Sequence, residues 1–278
     1  MRRWLARAGL CILLCAAAGA TRADLTDEIQ VYADDINAPG QFHLELHLNT
    51  TPDGRSRPDY VGEITPEHGV RLTPEFSYGL TPDLEAGLYV PMLRASGGSL
   101  YVAGARARLK WLPLKPDNGA AGGATGAFAG LNFELSQVAA RFERDRRVLE
   151  IRPIVGWRNP HWLVAFNPVQ DVALAGPDHN HPPDFAPALK VARSVNDWAA
   201  LGFEYYLDLG QITQLLPYAQ QSHMLFIAAD VDLKPWAFNF GVGRGFGDDT
   251  GRWTIKAIIE VPGLGHQTRR ARTERGVR

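Results

Sequence analysis

The chain reads as an all-β protein, a closed antiparallel transmembrane β-barrel of about 12 strands. Three observations in its 278 residues carry that reading. Segments of roughly ten residues alternate apolar and polar side chains along most of the chain. The N-terminus has the charged, apolar and small-residue order of a secretory signal peptide. The links between segments alternate short and long, as they do in barrels with tight turns on one side of a membrane and loops on the other.

Taken in order, Arg2, Arg3 and Arg7 precede the apolar run 10–18, and small residues offer cleavage after Ala20 or Ala23. A membrane-anchoring helix needs about 18 or more apolar residues, which this run lacks. A lipoprotein signal is disfavoured because Leu10 and Leu14 stand before the two cysteines, Cys11 and Cys15. With both cysteines in the removable segment, the mature chain has no disulfide, no thiolate metal site and no cysteine nucleophile. Cleavage after Ala23 also removes four arginines, so the formal charge of −1 becomes about −5. Mild acidity without a basic block argues against nucleic acid as a partner. The organisation read from the chain is a signal peptide over 1–23, a periplasmic segment over 24–39, a barrel over 40–262 and a basic, disordered tail over 263–278.

The first strand, 42–49, is the clearest: Phe42, Leu44, Leu46 and Leu48 alternate with His43, Glu45, His47 and Asn49. Side chains of a strand point alternately to opposite faces, so one face is apolar and the other wet. The second, 68–78, sets Val70, Leu72, Phe76 and Tyr78 against Arg71, Thr73, Glu75 and Ser77. The third is 84–90. In the fourth, 100–111, Ala105, Ala107, Leu109 and Trp111 oppose Arg106, Arg108 and Lys110. The fifth, 125–135, opposes Leu131, Phe133 and Leu135 to Asn132 and Glu134. The sixth, 148–157, opposes Ile151, Val155 and Trp157 to Glu150 and Arg152. The pattern continues in 162–174, 185–195 (Lys190 on the wet face), 198–209 (Glu204 and Asp208), 222–233, 236–246 and 252–261 (Lys256 and Glu260).

The links after the second, sixth, eighth and tenth strands are short, and those after the first, fifth, seventh and ninth are long. The link 112–124 breaks the pattern, either as a long periplasmic loop or as a slip in the strand count. A water-soluble barrel also alternates. Against it, Tyr78, Tyr89, Trp111, Trp157, Trp162, Trp198, Trp236 and Trp253 stand near strand ends, where membrane barrels carry aromatic girdles.

The segments 28–32, 39–42, 71–82 and 241–245 resemble a poorly characterised family of Gram-negative outer-membrane proteins. More distantly, the chain is similar to the barrels named after the phenol-degradation MetA pathway, regarded as transporters. The resemblance implies an outer-membrane location and passage of small molecules, and it brings no catalytic residues. Such barrels usually end on an aromatic residue read by the assembly machinery, whereas this chain ends in a basic tail.

Function is expected on the wet face, lined by Glu45, Arg71, Glu75, Arg106, Arg108, Lys110, Glu134, Arg152, Lys190, Glu204 and Lys256. Opposite charges on neighbouring strands are expected to pair and hold the barrel's shape. The other reading is a positive ladder of Arg106, Arg108 and Lys110 that favours anions or orients a polar solute. His43 and His47 share this face but stand about 13 Å apart along the strand, too far to share one ion. His179 and His181 lack a third ligand, so no metal or cofactor site is read. His68 and Ser99 start strands that are not neighbours, and no catalytic set emerges. The glycines at 241, 243, 245 and 247 lack the strand-to-helix setting of a nucleotide loop and mark a strand that excludes bulky side chains. The expected partners are outer-membrane lipid, the outer-membrane assembly machinery and a small-molecule solute. The expected function is a channel or transporter; the alternatives are a structural or surface-interaction barrel and, behind it, an outer-membrane hydrolase.

Overall fold

The computed structural model describes residues 28–119, 123–246 and 251–262; the expected signal peptide and basic tail lie outside them. Twelve strands form one ring: β1 Phe42–Asp53, β2 Val70–Thr81, β3 in two runs (Leu84–Tyr89 and Met92–Arg94), β4 in two runs (Leu100–Val102 and Gly104–Leu114), β5 Gly123–Val138, β6 Arg147–Arg158, β7 Trp162–Ala175, β8 Asp184–Ser194, β9 Ala199–Asp208, β10 Ser222–Leu233, β11 Trp236–Phe246 and β12 Trp253–Glu260. Each pairs antiparallel with its sequence neighbours, and β1 pairs with both β2 and β12, which closes the sheet on itself. Closure leaves no unpaired strand edge. No helix among the described residues is long and apolar enough to cross a membrane.

β3 and β4 are interrupted side by side. Pro91 cannot donate to the ladder, yet its carbonyl accepts from the Ala103 N–H at 2.8 Å, so the runs on either side stay paired. The link 112–124 holds no lost strand. Asp117–Gly119 pairs with the start of β5, Asp117 opposite Thr125, and lengthens the β4–β5 hairpin.

The two faces fall where alternation places them. Leu48, Leu109, Phe133, Val155, Phe166, Phe203, Ile227 and Val242 are exposed on the outside, and the polar residues between them are buried within. Tyr78, Trp111, Trp157, Trp162, Trp198 and Trp236 are exposed beside the short turns, whereas Trp253 stands at the opposite end. One expected girdle residue is not in the girdle. Tyr89 is fully buried and points into the lumen, because it sits at the end of the first β3 run on the same face as Glu85.

Candidate functional site in the lumen

The lumen is occupied by the chain's own N-terminal segment. The sequence reading put 24–39 outside the barrel in the periplasm; residues 28–37 instead run inside the wall, where Ile29, Val31, Tyr32 and Ala33 are buried. The reason is a set of inward polar groups that satisfy the segment's backbone, which lacks a ladder of its own. Lys256 of β12 donates to the Ile29 carbonyl at 2.9 Å, and Arg152 of β6 donates to the Gln30 carbonyl at 3.1 Å. Asn167 of β7 grips Tyr32 twice: its Oδ1 accepts from the Tyr32 N–H at 2.7 Å and its Nδ2 donates to the Tyr32 carbonyl at 3.1 Å. The Asn37 N–H donates to Glu85 of β3 at 2.7 Å, and the Asn37 amide donates to the Ser77 hydroxyl of β2 at 2.8 Å. Five strands on different sides of the ring thus hold one segment.

Side chains add to this grip. Val31, Tyr32 and Ala33 pack against Leu112, Phe128, Ile154, Ala165 and Ala188, inward residues of β4 to β8. These apolar residues stand at positions where alternation predicts a wet face. The Tyr32 ring has the Arg152, Lys110 and Arg108 cations 4.3, 4.9 and 5.6 Å from its centroid, and its hydroxyl meets that of Tyr89 at 2.7 Å. Cations over a desolvated aromatic face are each worth about 0.5–2 kcal/mol. Near the mouth, Arg158 lies 2.9 Å from Asp34. Burial, followed by the charge of Asp35 next in the chain, raises the Asp34 carboxyl to about 6. Gly241 and Gly243 of β11 fit the expectation of a strand free of bulk: a Cβ at 243 would come 2.6 Å from the inward Phe226 ring, and one at 241 would come 2.9 Å from the Lys256 side chain.

The expected lumen-lining residues do face inward, and most are engaged in ion pairs. Arg108 lies 2.5 Å from Glu75 and 2.6 Å from Glu85. Arg106 lies 3.1 Å from Glu134 and 2.6 Å from Glu143, a residue of the β5–β6 loop that reaches into the barrel. With Lys110 at the Tyr32 ring, the three cations face partners and do not form a free positive ladder. Arg152 pairs with Glu150 at 2.7 Å. Glu204 bridges Lys190, at 3.1 Å, and Lys256, while Lys190 also reaches Asp230 at 2.9 Å. Arg71 is buried on β2 and lines, with Arg106, Glu143 and Phe142, a half-open pocket of about 20 Å³, room for a single water. Above it Phe142 packs with Leu93, Ala103 and Val138.

Two groups of side chains converge closely enough to hold a metal ion: His43, Glu45 and Glu260, and Glu45, His47 and Glu75. Sequence reasoning along one strand reached the histidines and missed Glu260 and Glu75, which the register of neighbouring strands brings alongside. At the long-loop end of the barrel, an open cleft of about 850 Å³ lies between the β1–β2, β5–β6 and β7–β8 loops, with Tyr60, Arg144, Arg146 and His179 among its lining residues.

No protein-family model matches the chain. No curated protein sequence matches it either. Solved structures do: the chain is similar to the COG4313 outer membrane channel from Pseudomonas putida F1, with a TM-score of 0.53 and 12% identity over 84% of this chain and 99% of that one. The KdgM porin gives a TM-score of 0.47 at 10% identity over 80% and 99% of the two chains. Outer membrane phospholipase A from Escherichia coli gives 0.44 at 14% identity over 90% and 100%. At these identities the likeness is one of fold, a closed barrel of the outer-membrane kind. The finer resemblance to the MetA-pathway barrels has no sequence or family match behind it.

Proposed function

We propose that this chain is an outer-membrane channel for a small solute, held shut by its own N-terminal segment. The observation that carries the reading is the docking of residues 28–37 inside a charged lumen whose outer surface is apolar and aromatic. A polar interior suits a wet passage, and a segment held by hydrogen bonds and one apolar collar is removable without breaking the strand ladder. The fold shared with a solved outer membrane channel supports the same reading. The outward aromatic belt suits outer-membrane lipid, and a barrel of this kind depends on the outer-membrane assembly machinery for insertion. The reading assigns the chain no catalytic step.

Planar-bilayer conductance tests it. The full chain is expected to conduct weakly, and a variant lacking 24–37 several-fold more, with both showing the heat-modifiable gel migration of a folded barrel. Two folded but silent proteins would sink the channel reading. They would favour a surface-interaction barrel, for which the open cleft of about 850 Å³ is the observation in hand.

A further inference from the structure

Three glutamates stand side by side on three neighbouring strands. Glu45 of β1 is in register with Glu260 of β12 on one side and with Glu75 of β2 on the other. All three point inward, Glu260 and Glu75 being 8% and 4% exposed. Like charges directly opposite one another in a sheet are destabilising, and burial sharpens the cost. On the Glu75 side the wall supplies Arg108, 2.5 Å away. On the Glu260 side the register supplies an imidazole: His43 stands two residues before Glu45 on the same face, with its Nε2 3.2 Å from Glu45 Oε1.

We propose that His43, Glu45 and Glu260 bind one divalent transition-metal cation of the Zn²⁺ class across the seam where β1 closes on β12. One ligand atom from each residue lies within 4.8 Å of the other two. Donors about 2.1 Å from a tetrahedral Zn²⁺ stand about 3.4 Å apart, so the 3.2 Å His43–Glu45 spacing already fits, and Glu260 lies within 4.8 Å of both. One imidazole nitrogen and two carboxylate oxygens suit Zn²⁺, Co²⁺ or Ni²⁺ better than Ca²⁺ or Mg²⁺, which favour all-oxygen cages.

The neighbouring group of Glu45, His47 and Glu75 is the poorer host. Glu75 already holds His47 at 3.0 Å and Arg108 at 2.5 Å, and a guanidinium in the first ring of contacts repels a second cation. His43 and His47 still do not share an ion. His43 pairs with Glu45 on its own strand with Glu260 of β12 in reach, whereas His47 pairs with Glu75 of β2, relations that β1 alone does not show. An ion in the first group ties the opening strand of the ring to the closing one.

The test uses the untagged chain extracted from outer membranes, stripped with EDTA and titrated with Co²⁺ by visible absorption, then with Zn²⁺ in competition. One equivalent of Co²⁺ with a d–d band, displaced by Zn²⁺, is expected. His43→Asn and Glu260→Gln are each expected to weaken binding at least about tenfold, given that even supporting residues of metal sites cost that much. A triple variant, His179→Asn, His181→Asn and His266→Asn, is expected to bind as the parent does. Zn²⁺ is also expected to raise the temperature at which the parent loses its heat-modifiable migration, with no rise in either ligand variant. Should one ligand variant fail to fold, the other carries the comparison. Absence of bound Co²⁺, binding that persists in a folded ligand variant, or binding lost in the triple variant would overturn the proposal.

Discussion

The lumen wall has two unlike sides. From β4 to β8 its inward row includes Leu112, Phe128, Ile154, Ala165 and Ala188, and it receives the apolar side chains of the N-terminal segment. From β8 through β12 and round to β4 charge dominates the row, with Lys190, Glu204, Lys256, Glu260, Glu45, Glu75, Glu85 and Arg108 beside the apolar Phe226 and Ile258. Both sides hold the same segment by different physics. The apolar cluster acts by exclusion of water, without direction, while the polar groups, Asn167 of β7 and Arg152 of β6 among them, act through hydrogen bonds that fix where Ile29, Tyr32 and Asn37 must lie. The ionic groups also bind one another, so they belong to the barrel as much as to the segment. The apolar groups pack on the segment as well as on one another.

That difference is open to direct attack. Lys256→Met should have the largest effect. Lys256 and Glu204 are each 1% exposed, and breaking such a buried pair costs about 3–5 kcal/mol because a charge is left uncompensated. The loss should appear in urea unfolding of the barrel in lipid vesicles, together with higher conductance as the Ile29 anchor goes. Wild-type barrel stability in this variant would show that the ionic side serves only the segment.

Ile154→Ala should come next. A fully buried isoleucine cut back to alanine costs about 2–5 kcal/mol. Here the cost should fall on the docked segment, raising conductance while the urea midpoint of the barrel hardly moves. An equal loss in both measurements would erase the distinction between the two sides.

The smallest effect concerns pH. The Asp34 carboxyl is raised from 3.8 to about 6, chiefly by burial. A carboxyl raised on docking stabilises the docked state fully below its ordinary value and loses that contribution as pH rises through 6. Conductance should therefore increase between pH 5 and about 7.5, and Asp34→Asn should remain closed across that range. An identical pH profile in the variant would place the titration elsewhere.

The strand wall was legible in the chain because alternation fixes which residues face in; nine of the eleven expected lumen residues are buried, and Glu45 and Arg106 are half-buried. The segment inside was not legible. Glu28 to Asn37 carries no turn signal, and its partners stand on strands up to 227 residues away. A trace of it was present: Phe128, Ile154 and Phe226 are apolar residues at wet-face positions, and such exceptions call for an apolar partner inside. Tyr89 misled for the mirror reason, since its distance from a strand end says nothing about its face. Cross-strand neighbours were equally hidden. Whether Glu45 meets Glu260 depends on the stagger of the ring, which no single strand encodes.

The bond from Lys256 to the Ile29 carbonyl joins nearly the first described residue to the last strand. Contacts so distant along a chain are slow to find, because the loop they close is the whole protein. Yet a chain made from its N-terminus has residues 28–37 in hand before any strand exists. The Lys256 bond can therefore form only after the last strand has joined the ring, which makes the docked segment the mark of a finished barrel.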